Sequence, residues 1–210
     1  MNLIETDFQF AVQKTANEVK QINPPKLCLT GGKFGSFLLN ELIKINYAPH
    51  KENIYISDER LDCSKDYQNA ESILIGLKKL QDFQAFNFIP FLQTEDPDFS
   101  YQDINEKLDS HFLDFTVLSL GEDGHLAGHF VNSYLLKDNR FCFTDNAVKE
   151  PKSRISFTVD FLSKSKKIIL AVFGEEKKAP LMELMEGKGM HSSIITNKNL
   201  TVYTDIKLQL

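Results

Sequence analysis

The chain has 210 residues, 42% of them hydrophobic and 25% charged, the balance of one globular domain with a core that needs no disulfide scaffold; two small domains are the weaker alternative. A net charge of −5 argues against a phosphate-backbone binder, so no nucleic acid is expected as a partner, although a few cations converging in one cleft could still hold a small anion. Cys28, Cys63 and Cys142 are odd in number and widely spaced, residues 1–20 carry Glu5, Asp7 and Glu18 where a secretion signal would be apolar, and no run approaches the roughly 20 apolar residues of a membrane span, so a cytoplasmic protein with no membrane partner is expected.

From Phe8, the apolar residues Ala11, Val12, Ala16, Val19 and Ile22 recur mostly at three- and four-residue intervals, which predicts a helix ended by Pro24 and Pro25. Residues 26–30 then read as a short strand, Gly31-Gly32 as a tight turn, and Phe34, Phe37, Leu38, Leu42 and Ile45 as the face of a second helix. The pattern repeats with a strand at 53–57, a loop at 58–65 and a helix face at Tyr67, Ala70, Ile73, Leu74 and Leu77. Further strands are predicted at 87–91, 115–120, 141–144, 155–159, 167–173, 193–196 and 200–203, and helices at 101–110 and 175–185. The acidic stretch 94–98, interrupted by Pro97, reads as a surface loop. With no internal repeat and no long linker, this order predicts an α/β fold: a single doubly wound, mostly parallel, Rossmann-like sheet with helices on both faces, in one domain over residues 1–210.

Four unusual stretches each follow a predicted strand: Gly31-Gly32-Lys33, Asp58-Glu59-Arg60, Gly121-Glu122-Asp123-Gly124-His125 and Gly174-Glu175-Glu176-Lys177. Ligands of open α/β sheets bind beyond the carboxyl ends of the strands, so these distant stretches are expected to meet at one crevice. A Gly-Gly turn before a helix lets backbone N–H groups approach an anion, or is merely a turn; Lys33 beside it adds charge or faces solvent. Arg154 opens a strand, and Lys177 stands in the first turn of a predicted helix, unfavourable for a cation unless an anion is near; a solvated surface pair is the plainer alternative. In the glycine-bracketed loop, a neutral His125 could take a proton from water while Asp123 fixes its tautomer, although a lone histidine is as often structural. His125 and His129, four apart, could share a helix face with Asp123 or Glu122 as metal ligands, but H-E-x-x-H is missing and no metal is expected. There is no G-x-S-x-G elbow, and Cys63 reads as a plain thiol.

The Gly31-Gly32 turn, the segment from Ile54 through Asp58-Glu59-Arg60 with Asn69 beyond, the Gly121 to Phe130 run, Arg154-Ile155-Ser156 and Gly174-Glu175-Glu176-Lys177 together resemble, in order and spacing over about residues 27–205, the 6-phosphogluconolactonase and glucosamine-6-phosphate deaminase superfamily. Asp-Glu-Arg and Gly-Glu-Asp-Gly-His resemble its lactonase branch, which implies that His125 is the base activating water. Deaminases carry an acidic residue shortly after the Asp-Gly-His triplet, where this chain has Ala127, Gly128, His129, Phe130 and Val131. Lys33 and Phe34 replace small hydroxyl residues after the glycine pair, Gly128-His129-Phe130-Val131 stands for Ser-Leu-Phe-Pro, and Cys63 stands near the place of a proline after Asp-Glu-Arg. The resemblance implies a phosphosugar lactone as substrate, His125 and Asp123 as the catalytic pair, and Gly31, Gly32, Lys33, Asp58, Arg60, Arg154 and Lys177 around the substrate and its phosphate. No cofactor and a monomer are expected. A deaminase and a catalytically silent phosphosugar-binding regulator are the alternatives.

Overall fold

The first helix shows how local chemistry sets an element's bounds. In the computed structural model, α1 (Phe8–Ile22) begins where the Asp7 side chain accepts the Phe10 N–H and ends where Asn23 turns left-handed. It buries Ala11, Val12, Thr15, Ala16 and Val19 on one side. The structure describes residues 1–208 except 50–51, 81–84, 95, 109–111 and 190. Glu95 in the acidic stretch and Asp109 and Ser110 in a predicted helix therefore lie outside the described residues.

Among the described residues, seven strands form one parallel sheet: β1 (Asn2–Glu5), β2 (Lys26–Leu29), β3 (Asn53–Ile56), β5 (Asn87–Ile89), β6 (Phe115–Ser119), β10 (Lys167–Val172) and β11 (Leu200–Thr204). Their spatial order is β1-β11-β10-β6-β2-β3-β5. The central strands are continuous apolar runs, Leu27-Cys28-Leu29 and Ile168 to Val172 being buried throughout, as strands covered on both faces must be. From β2 the chain steps outward to β3 and β5, and from β6 it steps the opposite way to β10 and β11, so the order reverses between β2 and β6. Right-handed crossovers then place α1, α2 (Gly32–Lys44) and α3 (Asn69–Leu77) on one face, and α4 (Pro97–Lys107), α5 (Val159–Leu162) and α6 (Lys178–Met185) on the other. The doubly wound parallel sheet is thus as expected.

A second, antiparallel sheet was not foreseen. It runs β4 (Asp58–Arg60), β9 (Arg154–Phe157), β8 (Phe141–Thr144) and β7 (Tyr134–Leu135). The predicted strands at 141–144 and 155–159 belong here, and the loop expected at 58–65 opens with β4. Ser57 links the two sheets: its N–H donates to the Leu29 carbonyl at 2.8 Å while its own carbonyl accepts from Phe157 at 3.1 Å. Phe157 packs against Phe91, Phe141 and Phe161 with ring centroids 5.1–5.4 Å apart, so one apolar core runs under both sheets.

Other differences have local causes. The strand expected at 193–196 is a 3-10 turn, Ser192–Thr196; its β-branched residues suit a strand, but tertiary packing overrides so short a preference. Thr158 ends β9 early by capping α5, its hydroxyl accepting the Phe161 N–H. Pro97 and Asp98 are the first turn of α4, capped by Asp96, rather than loop. β1, whose first and last residues Asn2 and Glu5 are exposed and polar around half-buried Leu3 and Ile4, carries no readable alternation.

Candidate active site

Because the main sheet is parallel, the segments following β2, β3, β6 and β10 emerge on one edge, and those following β2 and β6 flank the point where strand order reverses. After β2 comes Gly31, the N-cap of α2. A Cβ there would sit 2.3 Å from Asn69 Oδ1, so only glycine lets the turn approach α3 this closely. No side chain caps the thirteen-residue α2, which leaves its first backbone N–H groups facing the crevice.

The Asp-Glu-Arg segment works by strand alternation. On β4, Asp58 and Arg60 face the crevice while Glu59 points inward and is completely buried. Its carboxylate accepts the N–H groups of Arg60, Asn69 and Ala70 at 2.6–2.7 Å and so caps α3 from another element. Burial pushes Glu59 up to about 7 against those three donors. Asp58 accepts from the Ser57 hydroxyl at 2.6 Å and the Asn69 amide at 3.1 Å, which holds Asn69 at the crevice wall.

The antiparallel register sets Arg60 directly opposite Arg154. Two like charges facing each other cost stability unless an anion lies between or beside them. Arg154 is buried, and desolvation, then the neighbouring Arg60, lowers its pKa. It donates to the carbonyls of Pro151, Ser153 and Lys149, fixing the loop that carries Lys149. Lys149 itself pairs with Glu122 at 3.1 Å.

The loop after β6 is closed by Gly121 N–H to His125 carbonyl and Gly124 N–H to Gly121 carbonyl bonds of 2.9 and 3.1 Å. A Cβ on Gly121 would lie 2.2 Å from the His125 ring, so this glycine makes room for the imidazole. His125 Nδ1 bonds the Asp123 carboxylate. Partial burial pushes Asp123 up, but the hydrogen bond and charge of His125 together outweigh it and hold the carboxyl below its usual range. An ionised Asp123 accepts a hydrogen bond from Nδ1–H, which leaves the lone pair on Nε2 for base chemistry. Phe130 stacks on the imidazole at 4.5 Å.

A cavity of about 110 Å³, lined by Gly31, Gly32, Asn69, Ser119 and others, shares Asp58, Arg60, His125 and Ala127 with one of about 240 Å³ that reaches Asp123, Lys149 and Arg154. The two form one cleft with His125 between the glycine turn and the arginine pair. Gly31, Gly32, Asp58, Arg60, Asp123 and His125, all following parallel strands, therefore come together with Arg154, which opens β9.

Two predicted cations do not line it. Lys33 places its ammonium 5.1 Å over the Phe8 ring, on the α1 side, because at the start of α2 its side chain leaves the turn away from the crevice. Lys177 sits in the 3-10 turn Glu175–Lys177, half-buried, its pKa lowered by desolvation against the pull of Glu176, Glu122 and Asp205. It stands beside the Glu122–Lys149 pair, at the cleft's margin. Nor do His125 and His129 share a helix face: the chain bends between them, and His129 Nδ1 accepts the Val159 N–H at 3.2 Å. Glu59, Lys149 and Phe130 were assigned no role by the sequence; the inward phase of a three-residue strand was the available signal for Glu59.

An imidazole–carboxylate pair at the switch point of an open parallel sheet, beside paired arginines and an uncapped helix N-terminus, defines a protein built for base chemistry on a small anionic ligand. The family model for glucosamine-6-phosphate isomerases/6-phosphogluconolactonase matches residues 2–203, and the chain belongs to that family. It is 30% identical over 193 residues to the 6-phosphogluconolactonase of Chlamydia pneumoniae, covering 86% of this chain and 72% of that protein. A 6-phosphogluconolactonase structure from Shewanella baltica superposes with a TM-score of 0.78 at 18% identity, over 97% of this chain and 96% of that one. A monomeric glucosamine-6-phosphate deaminase gives 0.77 at 18% identity, over 97% of both chains. At such identities the structural likeness speaks for the fold and does not separate the two activities.

Proposed function

We propose that the chain hydrolyses 6-phospho-D-glucono-1,5-lactone to 6-phosphogluconate, a step of the oxidative pentose phosphate pathway. The observation that carries this reading is the His125–Asp123 pair at the junction of the cleft's glycine turn and its arginine pair. The substrate phosphate lies against Arg60, Arg154 and the backbone at Gly31 and Gly32, and this grip positions the lactone carbonyl beside His125.

His125 Nε2 takes a proton from water as the water oxygen bonds to the carbonyl carbon. The tetrahedral intermediate collapses with cleavage of the bond from that carbon to the ring oxygen, and the imidazolium returns its proton to the departing oxygen. Asp123 keeps the ring oriented and stabilises its charged form. Every atom of the product comes from lactone and water, so the reaction calls for no redox or group-transfer cofactor. We further read residues 1–210 as one domain acting as a monomer in the cytoplasm, a reducing compartment being consistent with free Cys28, Cys63 and Cys142.

The relatives include the glucosamine-6-phosphate deaminase of Malacoplasma penetrans, 26% identical over 231 aligned positions. Deamination with aldose–ketose conversion asks for further acid–base groups at the sugar, yet the imidazole here is covered by the apolar Phe130. Purified protein given freshly generated 6-phosphogluconolactone should release acid, and given glucosamine 6-phosphate should release no ammonia, with chelator present in both. Ammonia release establishes the deaminase, and binding of either sugar without turnover establishes a silent regulator.

A further inference from the structure

The small cavity beside the glycine turn carries an acceptor that neither the acid–base pair nor the phosphate grip uses. Asn69, the first residue of α3, is held at three points. Its backbone N–H donates to Glu59 at 2.7 Å, and its side-chain Nδ2 donates to the Asp58 carbonyl at 3.0 Å and the Asp58 carboxylate at 3.1 Å. Both partners of Nδ2 are acceptors, so the amide fits only one way round, with Oδ1 turned from Asp58 toward Gly31. Oδ1 accepts from no group among the described residues, and it keeps accessible surface where Asn69, 6% exposed, lines the cavity of about 110 Å³.

A fixed acceptor calls for a donor. A nearly buried amide oxygen left without one is costly, and a site that holds it ready discriminates against any ligand unable to supply the hydrogen. A phosphate oxygen is itself an acceptor and is repelled there, as it is by the Asp58 carboxylate on the same wall. The donors that a phosphosugar lactone offers are its hydroxyl groups.

Which hydroxyl follows from the lactone itself. Asn69 Oδ1 lies so close to Gly31 that a Cβ on that glycine would come within 2.3 Å of it, and the phosphate rests on the backbone of the same turn. The phosphomethyl group is carried by carbon 5, whose ring neighbours are the ring oxygen, with no hydrogen to give, and carbon 4 with its hydroxyl. The 4-hydroxyl is therefore the donor nearest the phosphate, across the ring from the carbonyl carbon at His125. We propose that Asn69 is a specificity-determining residue whose Oδ1 accepts a hydrogen bond from the 4-hydroxyl of the sugar lactone. This assignment rests on the lactonase reading above.

The test compares kcat/KM for 6-phosphogluconolactone and its 4-deoxy analogue, made by oxidising 4-deoxyglucose 6-phosphate, in the wild type, Asn69→Leu and Asn69→Asp, each rate corrected for spontaneous opening. The wild type should favour the hydroxylated lactone by about tenfold or more. Asn69→Leu should bring that ratio close to one, and Asn69→Asp, which keeps an acceptor in place, should retain part of it even where its charge beside Asp58 slows both substrates. The 2-deoxy lactone is the control, and its ratio to 6-phosphogluconolactone should be the same in Asn69→Leu as in the wild type. Equal rates on the 4-deoxy and hydroxylated lactones in the wild type, or an equal loss on both in Asn69→Leu, as a purely structural role would give, overturns the proposal. So does a change in the 2-deoxy ratio in place of the 4-deoxy ratio. The wild-type comparison stands even where a variant fails to fold. If the wild type hydrolyses neither lactone, the lactonase reading falls, and calorimetry with 6-phosphogluconate and its 4-deoxy form decides the Asn69 contact separately. A tenfold preference lost in Asn69→Leu supports it, and equal affinities, or binding of neither, refute it.

Discussion

The two sheets divide the work of the cleft. The parallel sheet delivers its part through backbone: the glycine turn and uncapped α2 after β2, and the tight loop after β6 that shapes His125 against Asp123. The antiparallel sheet delivers side chains, its register setting Arg60 against Arg154 with Asp58 two residues along the same face. Buried central strands hold a reacting group in place with few degrees of freedom, while a short ladder at the crevice can set like charges side by side where an anion can reach them. The difference teaches that rate should depend on the first region and affinity on the second.

The sharpest way to break that division is His125→Ala. Removing the base should lower kcat by about 10² to 10⁴ with little change in KM, measured by initial-rate kinetics on fresh lactone. An unchanged kcat would take the imidazole out of the reaction. Asp123→Asn should cost less, about 10- to 100-fold in kcat, because the ring stays in its Gly121 niche but loses the carboxylate that fixes its tautomer.

Arg60→Met probes the other region and, on the proposed reading in which Arg60 holds the substrate phosphate, should move KM upward about tenfold with kcat nearly constant, since binding to a non-reacting group is felt equally in ground and transition states. Inorganic phosphate should compete with the lactone in the wild type and much less in this variant. A fall in kcat with KM unchanged would erase the distinction between the sheets. Arg60 is the better probe because Arg154 also fixes the 149–153 loop through three carbonyls.

How far this division is legible without coordinates differs between the regions. Strands buried on both faces announce themselves as apolar runs, so β2, β3, β6 and β10 and the loops at their carboxyl ends could be located from the residues alone. β4 and β7 are three and two residues long and largely polar or exposed, below the length at which alternation carries information. The Arg60–Arg154 pairing is a register between residues ninety-four apart, which no local pattern encodes. Charge beside a motif also misleads: Lys33 follows the glycine pair yet lies over Phe8, since the direction of a side chain at a helix start is set by the turn and not by its charge.

Glu59→Gln should have the smallest effect on turnover, within a few-fold, and it tests the joint between the two regions, because this carboxyl ties β4 to α3. Burial raises Glu59 to about 7 in the folded state, above its usual 4.5, so between those values the folded protein binds more protons than the unfolded chain. The stability due to this group is therefore complete below about pH 4.5 and is lost as pH rises to about 7, on the order of 3 kcal/mol for a fully buried carboxyl. Glutamine does not titrate, so the melting temperature of the variant should gain on that of the wild type across this window and run parallel to it above. Parallel curves throughout the window would mean that the three N–H donors hold Glu59 ionised at its ordinary pKa, and that the joint is a charged helix cap insensitive to pH.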